Sequence, residues 1–242
     1  MNALINGTRY QGKTTLALAL ALADREKTVI IFDSYAQYHV GLNCEASLES
    51  LDQMLLAPPA DPLVLLYRPD PKAISEGFTA LTEYLWDQAW EQYTLIIDEA
   101  WEIQSSHGLN ENLGRLIRRK PDTVSVIQTT HRIVDLQALA RFHATDLFFF
   151  RTERQGDLDM IESEYGFDAA MLRNLPLHVC IHRWLDPQTG AAQLVTWHDT
   201  KRWYSDITGN RPRGRSRNSD GAGAGSGDEF EFASTGAAGP VV

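Results

Sequence analysis

A segment near the amino terminus has the composition of a phosphate-binding turn. Residues 7–14 read GTRYQGKT and fit the spacing G-x-x-x-x-G-K-[ST]. The glycines let the backbone curve around phosphate oxygens, and a helix that follows points its N–H groups and its positive end at the anion. Lys13 is placed to reach the β- and γ-phosphates, and the Thr14 hydroxyl to bind Mg²⁺. The residues expected to contact the nucleotide are Gly7, Thr8, Arg9, Tyr10, Gln11, Gly12, Lys13, Thr14 and Thr15.

An acidic pair ends an apolar segment in the middle of the chain. Residues 95–99 read LIIDE, which predicts a buried strand that delivers two carboxylates to its carboxyl end. Asp98 is expected to hold the magnesium ion, and Glu99 to orient and deprotonate a water that attacks the γ-phosphate. A base at that position favours hydrolysis over transfer to a bound metabolite. Together the two motifs predict a magnesium-dependent nucleoside triphosphatase, with ATP as the favoured nucleotide.

Alternating strand-like and helix-like segments are expected to bring both motifs to one edge of a sheet. Strands are predicted at residues 3–6, 28–32, 63–67, 94–97, 123–127 and 147–150. Helices are predicted at residues 13–23, 73–91, 109–117 and 133–142. Residues 178–185 and 192–197 flank the turn sequence DPQTG and predict a terminal β-hairpin. The pattern predicts an α/β fold whose mainly parallel sheet carries helices on both faces and binds its ligand at the carboxyl ends of the strands.

The composition changes after Tyr204. Residues 1–204 read as one folded domain, whereas residues 205–242 contain the run RPRGRSR and glycine, alanine and serine repeats. Such a segment buries too little apolar surface to offset its ordering entropy, so a disordered tail is predicted. The tail is either a solubilising extension or an arm that contacts phosphates through its arginines.

Charge and cysteine content exclude several classes of protein. The net charge of −10 argues against a protein that coats nucleic acid by electrostatics alone. Two cysteines, far apart in sequence, do not make a disulfide framework or a cysteine-rich zinc module. The longest apolar run, residues 16–23, is much shorter than the ~20 residues of a membrane span. With no secretory signal at the start of the chain, a cytoplasmic protein without stable membrane insertion is expected.

Three blocks of the sequence resemble a known family. They are residues 7–14, residues 95–100, and residues 126–132 followed by 146–150. Their order and spacing are similar to those of the FtsK/HerA superfamily of P-loop ATPases. Within it the chain most resembles the genome-packaging ATPases of membrane-containing icosahedral viruses, whose third motif is similar to residues 129–136. The resemblance covers residues 1–199 and leaves out the tail.

The resemblance implies a fold, an activity and a set of partners. The fold is that of an ASCE-type P-loop NTPase, the division with an additional strand and a catalytic glutamate. The activity is ATP hydrolysis by a homomeric ring, expected to be a hexamer, that moves double-stranded DNA into a preformed capsid without sequence specificity. Lys13 and Thr14 take the phosphate and metal roles, Asp98 the magnesium role and Glu99 the role of the base. A capsid or membrane vertex protein would dock the ring, which would act in the host cytoplasm or at a packaging vertex of the virion.

The third motif departs from the family pattern at one position. The family has a glutamine just before the arginine of this motif, where it senses the γ-phosphate, but this chain has His131 there. Gln128 lies three residues earlier. Either side chain can hydrogen-bond a phosphate or the attacking water, so both are candidates for the sensor.

The sequence gives weaker signals for the residues that would couple hydrolysis to DNA movement than for the nucleotide-binding residues. An arginine from a neighbouring subunit is expected to stabilise the transferring phosphate, and Arg118 and Arg119 are preferred because the family often has basic residues shortly before the third-motif strand. The other candidates are Arg115, Arg132, Arg151 and Arg154. Loops at residues 35–41 and 105–112 are candidates for DNA contact, and Trp101 is interpreted as a core or subunit-interface residue.

Three other functions remain open from the sequence. A small-molecule kinase shares the phosphate-binding turn, but no arginine-rich lid is evident in this chain. A phage assembly or secretion ATPase of the zonula-occludens-toxin type shares the ATPase core and commonly carries a membrane span after it. A nucleotide switch that hydrolyses slowly is disfavoured by Glu99, because a well-placed base shortens the life of the bound triphosphate.

Overall fold

This computed structural model describes most of the chain. The described residues are 1–24, 27–38, 44–45, 64–87, 92–104, 108–185 and 192–199 of 242. The predicted disordered tail and parts of both candidate DNA loops lie outside them, so those predictions stand as they were made.

One sheet runs through the described residues. Its strands, β1 to β9 in chain order, are Asn2–Asn6, Thr28–Phe32, Cys44–Glu45, Val64–Tyr67, Tyr93–Ile97, Ser125–Thr130, Asp146–Phe150, Val179–Leu185 and Ala192–Asp199. They are arranged in the order β3-β4-β2-β5-β6-β1-β7-β8-β9. Across the sheet, from β3 at one edge to β7, each strand is parallel to its neighbour. Strand β8 pairs antiparallel with β7, and β9 pairs antiparallel with β8, so the two form a hairpin that continues the sheet. The predicted mainly parallel sheet and terminal hairpin are therefore confirmed.

The strand order places the two motifs next to one inserted strand. Strand β6 pairs with β1, which leads into the residue 7–14 turn, and with β5, which leads into Asp98. The additional strand that the family resemblance implied thus lies between the two motif-bearing strands. Because all three strands are parallel, their carboxyl ends meet at one edge, which we call the carboxyl edge of the sheet.

Helices cover both faces of the sheet. The helices α1 to α6 are Lys13–Leu22, Ile74–Asp87, Glu111–Arg119, Ala138–Phe142, Gln155–Tyr165 and Ala169–Arg173. Helix α1 packs with Ile5, Ile96 and Ile127 on one face, whereas α2, α3, α5 and α6 pack with Leu4, Ile97 and Val126 on the other. Burial on both faces explains why the central strands are continuous apolar runs. None of the helices in the described ranges is both long and apolar enough to cross a bilayer.

The prediction of one continuous helix over residues 133–142 was wrong. The structure has a short 3₁₀ turn at Ile133–Asp135, two extended residues, and then α4. Side chains from distant segments hold this break, because Gln137 donates its backbone N–H to Gln104 Oε1 at 2.7 Å and Val134 donates to Asp157 Oδ1 at 3.2 Å. Helices α5 and α6 were not predicted.

Candidate active site

The residue 7–14 turn, called the phosphate loop from here on, has a shape that requires its two outer glycines. A Cβ atom on Gly7 would lie 2.5 Å from the Cβ of Phe150, closer than two such atoms can approach. Gly12 precedes α1 with a φ of 105°, in the left-handed region that disfavours side chains. The loop therefore has little room for substitution at either end, and it delivers Lys13 to the first turn of α1.

Lys13 lies folded over the phosphate loop. Its Nζ atom donates to the carbonyls of Gly7 at 2.9 Å and Thr8 at 3.2 Å and lies 2.8 Å from Nδ1 of His131. Burial lowers the pKa of Lys13 to about 8, although the charges of Glu99 and Asp98 act in the opposite direction. A buried cation of this kind gains from the arrival of an anion, which is what a phosphate supplies.

Asp98 has one carboxylate oxygen that the described residues leave without a partner. The Thr129 hydroxyl donates to Oδ1 at 2.8 Å, but Oδ2 is buried and receives no hydrogen bond from the described part of the chain. Burial raises the pKa of Asp98 to about 7. A buried oxygen that no donor in the described residues satisfies suits a hard divalent cation, and the hydroxyl of Thr14, in the first turn of α1, is a further oxygen ligand of the kind such an ion takes. The residues present therefore fit a magnesium ion held between Thr14 and Asp98.

Glu99 is held in an unusual backbone conformation. Its φ of 50° is in the left-handed region, which costs a residue with a side chain roughly 1–2 kcal/mol. Its backbone N–H donates to the Thr129 hydroxyl at 3.2 Å, and its carboxylate lies 2.9 Å from His131 Nε2 and 3.0 Å from Trp101 Nε1. Strain of this kind is concentrated at functional sites. The role of Trp101 as a hydrogen-bond donor to Glu99 was missed, since the sequence has no local signal for it.

Of the two candidate sensors, Gln128 lies within the sheet and His131 lies beyond the end of β6. Gln128 is in register with Leu4 and Ile97 and is fully buried on their face, opposite α1. His131 follows the end of β6 and contacts both Lys13 and Glu99. The structure thus brings His131 to the phosphate loop and keeps Gln128 away from it, because alternate strand residues point to opposite faces.

A cavity of about 680 Å³ opens over the phosphate loop. Its size suits a drug-sized ligand, and its lining includes Lys13 and Thr14 of the phosphate loop. The lining residues are Arg9, Tyr10, Gly12, Lys13, Thr14, Thr15, Gln37, His131, Leu177 and His178. Of the other predicted loop residues, Gln11 is buried and donates to the Thr8 hydroxyl at 3.4 Å.

Two lining residues, Leu177 and His178, were not predicted as part of the site. Leu177 is a large apolar side chain that is 54% exposed, and His178 has a φ of 65°. The His178 Nδ1 atom lies 3.1 Å from the Gln11 carbonyl, which ties this segment to the phosphate loop. They come from the segment before β8, about 165 residues from the loop, so only the tertiary fold brings them to it.

Arg118 and Arg119 lie far from the phosphate loop of their own chain. Helix α3 ends just before the start of β6, which places both arginines at the opposite, amino edge of the sheet, about 20 Å from the carboxyl edge for a strand of this length. Both are exposed, and Arg118 Nε donates to the Gly114 carbonyl at 3.0 Å. Neither side chain is placed to act at the phosphate loop of its own chain.

Three of the other arginine candidates, Arg115, Arg132 and Arg151, have local partners. Arg115 stacks on Trp86 with 3.9 Å between its guanidinium carbon and the ring centroid. Arg132 pairs with Asp135 at 3.4 Å, and Arg151 lies 3.7 Å from Glu153.

Comparison with known proteins identifies the fold. No protein-family model matches the sequence, and no curated protein matches it. The genome packaging NTPase B204 of Sulfolobus turreted icosahedral virus 2, solved with AMPPCP, matches at a TM-score of 0.62 and 18% identity over 80% of this chain and 96% of that chain. B204 of Sulfolobus turreted icosahedral virus, described as a DNA-packaging ATPase, matches at a TM-score of 0.59 and 16% identity over 81% and 98% of the two chains. The predicted α/β fold, a mainly parallel sheet flanked by helices, is therefore the fold of these solved structures.

Proposed function

We propose that the protein hydrolyses ATP and uses the energy to move double-stranded DNA, as a motor that packages a viral genome into a preformed capsid. The observation that carries the hydrolytic part is the chain of contacts from Lys13 through His131 to Glu99, next to an Asp98 oxygen that the described residues leave without a hydrogen-bond donor. A phosphate-binding lysine, a metal-binding carboxylate and a base at one edge of the sheet are the parts that hydrolysis of a triphosphate requires.

The roles of the residues follow from their positions. Backbone N–H groups of the phosphate loop and Lys13 bind the β- and γ-phosphates. Glu99 accepts a proton from water while the water oxygen bonds to the γ-phosphorus, and the bond from that phosphorus to the bridging oxygen of ADP breaks. His131 faces the γ-phosphate and is the sensor. Thr14 and Asp98 would hold Mg²⁺, which neutralises charge on the phosphate oxygens.

The outer end of the cavity is assigned to the nucleobase. Leu177 supplies an exposed apolar surface and His178 a planar ring, both held near the loop by the contact of His178 with the Gln11 carbonyl. Flat aromatic bases bind well against such groups because burial of their faces removes apolar surface from water.

Three observations support the motor rather than a free ATPase. Two solved structures with this fold are named as a genome packaging NTPase and a DNA-packaging ATPase. Arg118 and Arg119 are exposed at the edge opposite their own site, where they can reach the site of a neighbour in a ring. The net charge of −10 suits weak, sequence-independent contact with DNA, which a motor needs in order to release and step.

The proposed assembly is a homomeric ring, taken as a hexamer, in the host cytoplasm or at a packaging vertex of the virion. A capsid or membrane vertex protein would dock it there.

Imaging and hydrolysis assays test the proposal together. The purified full chain is imaged by electron microscopy with a non-hydrolysable ATP analogue and duplex DNA, and ATP turnover is measured with and without the duplex. We expect closed rings threaded by DNA and turnover that rises with duplex DNA but not with small metabolites. Turnover that depends on a metabolite would indicate a kinase, and monomers with no response to DNA would exclude a motor.

A further inference from the structure

Lys13 has no spare hydrogen to offer a phosphate in the observed arrangement. An ammonium group has three donors, and those of Lys13 meet the Gly7 carbonyl, the Thr8 carbonyl and the His131 ring at 2.9, 3.2 and 2.8 Å. The side chain is also only 6% exposed. A nucleotide phosphate can therefore bind Lys13 only by displacing one of these three acceptors.

The contact between Lys13 and His131 fits one tautomer of a neutral ring. The Lys13 ammonium can only donate, so at 2.8 Å this contact needs Nδ1 as the acceptor, although Nδ1 also lies 3.5 Å from the Gly7 carbonyl; the proton of that tautomer is on Nε2. That nitrogen lies 2.9 Å from Glu99 Oε1 and donates to it. The other oxygen of Glu99 accepts from Trp101 at 3.0 Å. One imidazole ring thus joins the phosphate-binding lysine to the base.

The position of the ring matters as much as its contacts. Since it touches Lys13 with one nitrogen and Glu99 with the other, it occupies the space between them. The γ-phosphate and the attacking water have to occupy that same space, because Lys13 binds the phosphate and Glu99 deprotonates the water. The ring must also turn its Nδ1 lone pair away from an anionic phosphate.

We infer that His131 is a clasp, a positioning residue that links Lys13 to Glu99 until nucleotide phosphates displace it. This inference rests on the proposed ATP hydrolysis and adds a closed arrangement to it. The clasp opposes the binding of any nucleotide that engages Lys13, including ADP. A residue that only senses the γ-phosphate has no effect on ADP, which lacks that group, so the two roles predict different results.

The test is the affinity for ADP beside the rate of ATP turnover. ADP binding to the full chain is measured by calorimetry for the wild-type protein and for His131→Ala, and kcat is measured on the same samples. We expect His131→Ala to bind ADP about tenfold more tightly, since one charge-assisted hydrogen bond no longer has to be broken. Its kcat should fall about 100-fold or more, because Glu99 and the phosphate lose their positioning group.

Two further variants calibrate the result. His131→Gln can still accept from Lys13 and donate to Glu99, so its ADP affinity should return towards that of the wild-type protein. His143→Ala removes an exposed histidine at the amino edge of the sheet and should change neither quantity. Thermal unfolding of each variant shows whether it is folded.

The outcomes separate the clasp from the proposed function. If the wild-type protein binds ADP and hydrolyses ATP, but His131→Ala leaves ADP affinity unchanged or weaker, the clasp is rejected and hydrolysis stands. If the wild-type protein neither binds ADP nor hydrolyses ATP, the proposed function itself fails.

If His131→Ala does not fold, the ¹⁵N chemical shifts of the histidine rings in the wild-type protein test the clasp instead. The signal of His131 is identified as the one that is missing from His131→Gln. A proton on Nε2 that is perturbed by an ATP analogue supports the clasp, and a proton on Nδ1 contradicts it.

Discussion

Replacement of Asp98 by asparagine should stabilise the metal-free protein at high pH. Burial raises the pKa of Asp98 from its ordinary 3.8 to about 7, so the folded protein binds this proton more tightly than the unfolded chain does. The folded state is therefore favoured at low pH, and this contribution is lost as the pH rises from about 4 to about 7. At 1.36 kcal/mol per pH unit, the ionised carboxylate costs up to about 4 kcal/mol of the free energy of unfolding at pH 8. An asparagine side chain carries no charge, and its amide oxygen could still accept from the Thr129 hydroxyl.

Urea unfolding in the presence of a chelator measures this effect. Asp98→Asn should unfold at higher urea than the wild-type protein at pH 8 and at about the same concentration at pH 4, with ATP turnover abolished at both. Mg²⁺ should stabilise the wild-type protein but not the variant. Asp122→Asn, which neutralises an exposed carboxylate, should show no such pH-dependent difference. Equal stability of Asp98→Asn and wild type at pH 8 would refute the reasoning that burial opposes the charge.

Four other substitutions test separate parts of the site. Glu99→Gln should bind ATP normally in a filter-binding assay while kcat falls by about 10² to 10⁴, and retained turnover would assign the base elsewhere. Gly7→Ala should destabilise the fold by about 1–3 kcal/mol in urea and abolish nucleotide binding, because the added methyl group collides with Phe150. In calorimetry, Leu177→Ser should weaken the binding of ATP about tenfold but leave the binding of inorganic tripolyphosphate unchanged. If both are weakened equally, Leu177 does not contact the base. Arg119→Ala, mixed into wild-type protein, should reduce turnover out of proportion to its fraction, whereas a proportional loss would exclude an action in trans.

The architecture was largely predictable because its signals are local. Continuous apolar strands separated by helices indicate a parallel sheet, and the strands predicted around residues 28–32 and 94–97 agree with the structure to within a residue. The break at residues 136–137 was not predictable in this way. Its cause is a pair of hydrogen bonds to Gln104 and Asp157, and no nearby residue signals them.

The amino-acid sequence alone determined the phosphate loop and the acidic pair. Both depend on neighbours along the chain, since glycine spacing shapes the loop and a buried strand carries Asp98 and Glu99 to its end. Tertiary structure placed His131 against Lys13 and kept Gln128 away from it, because strand β6 runs to Thr130 and its alternation turns Gln128 to the far face. It also brought Leu177 and His178 to the cavity and Trp101 to Glu99. These contacts join residues through packing and strand register, which spacing along one chain does not encode.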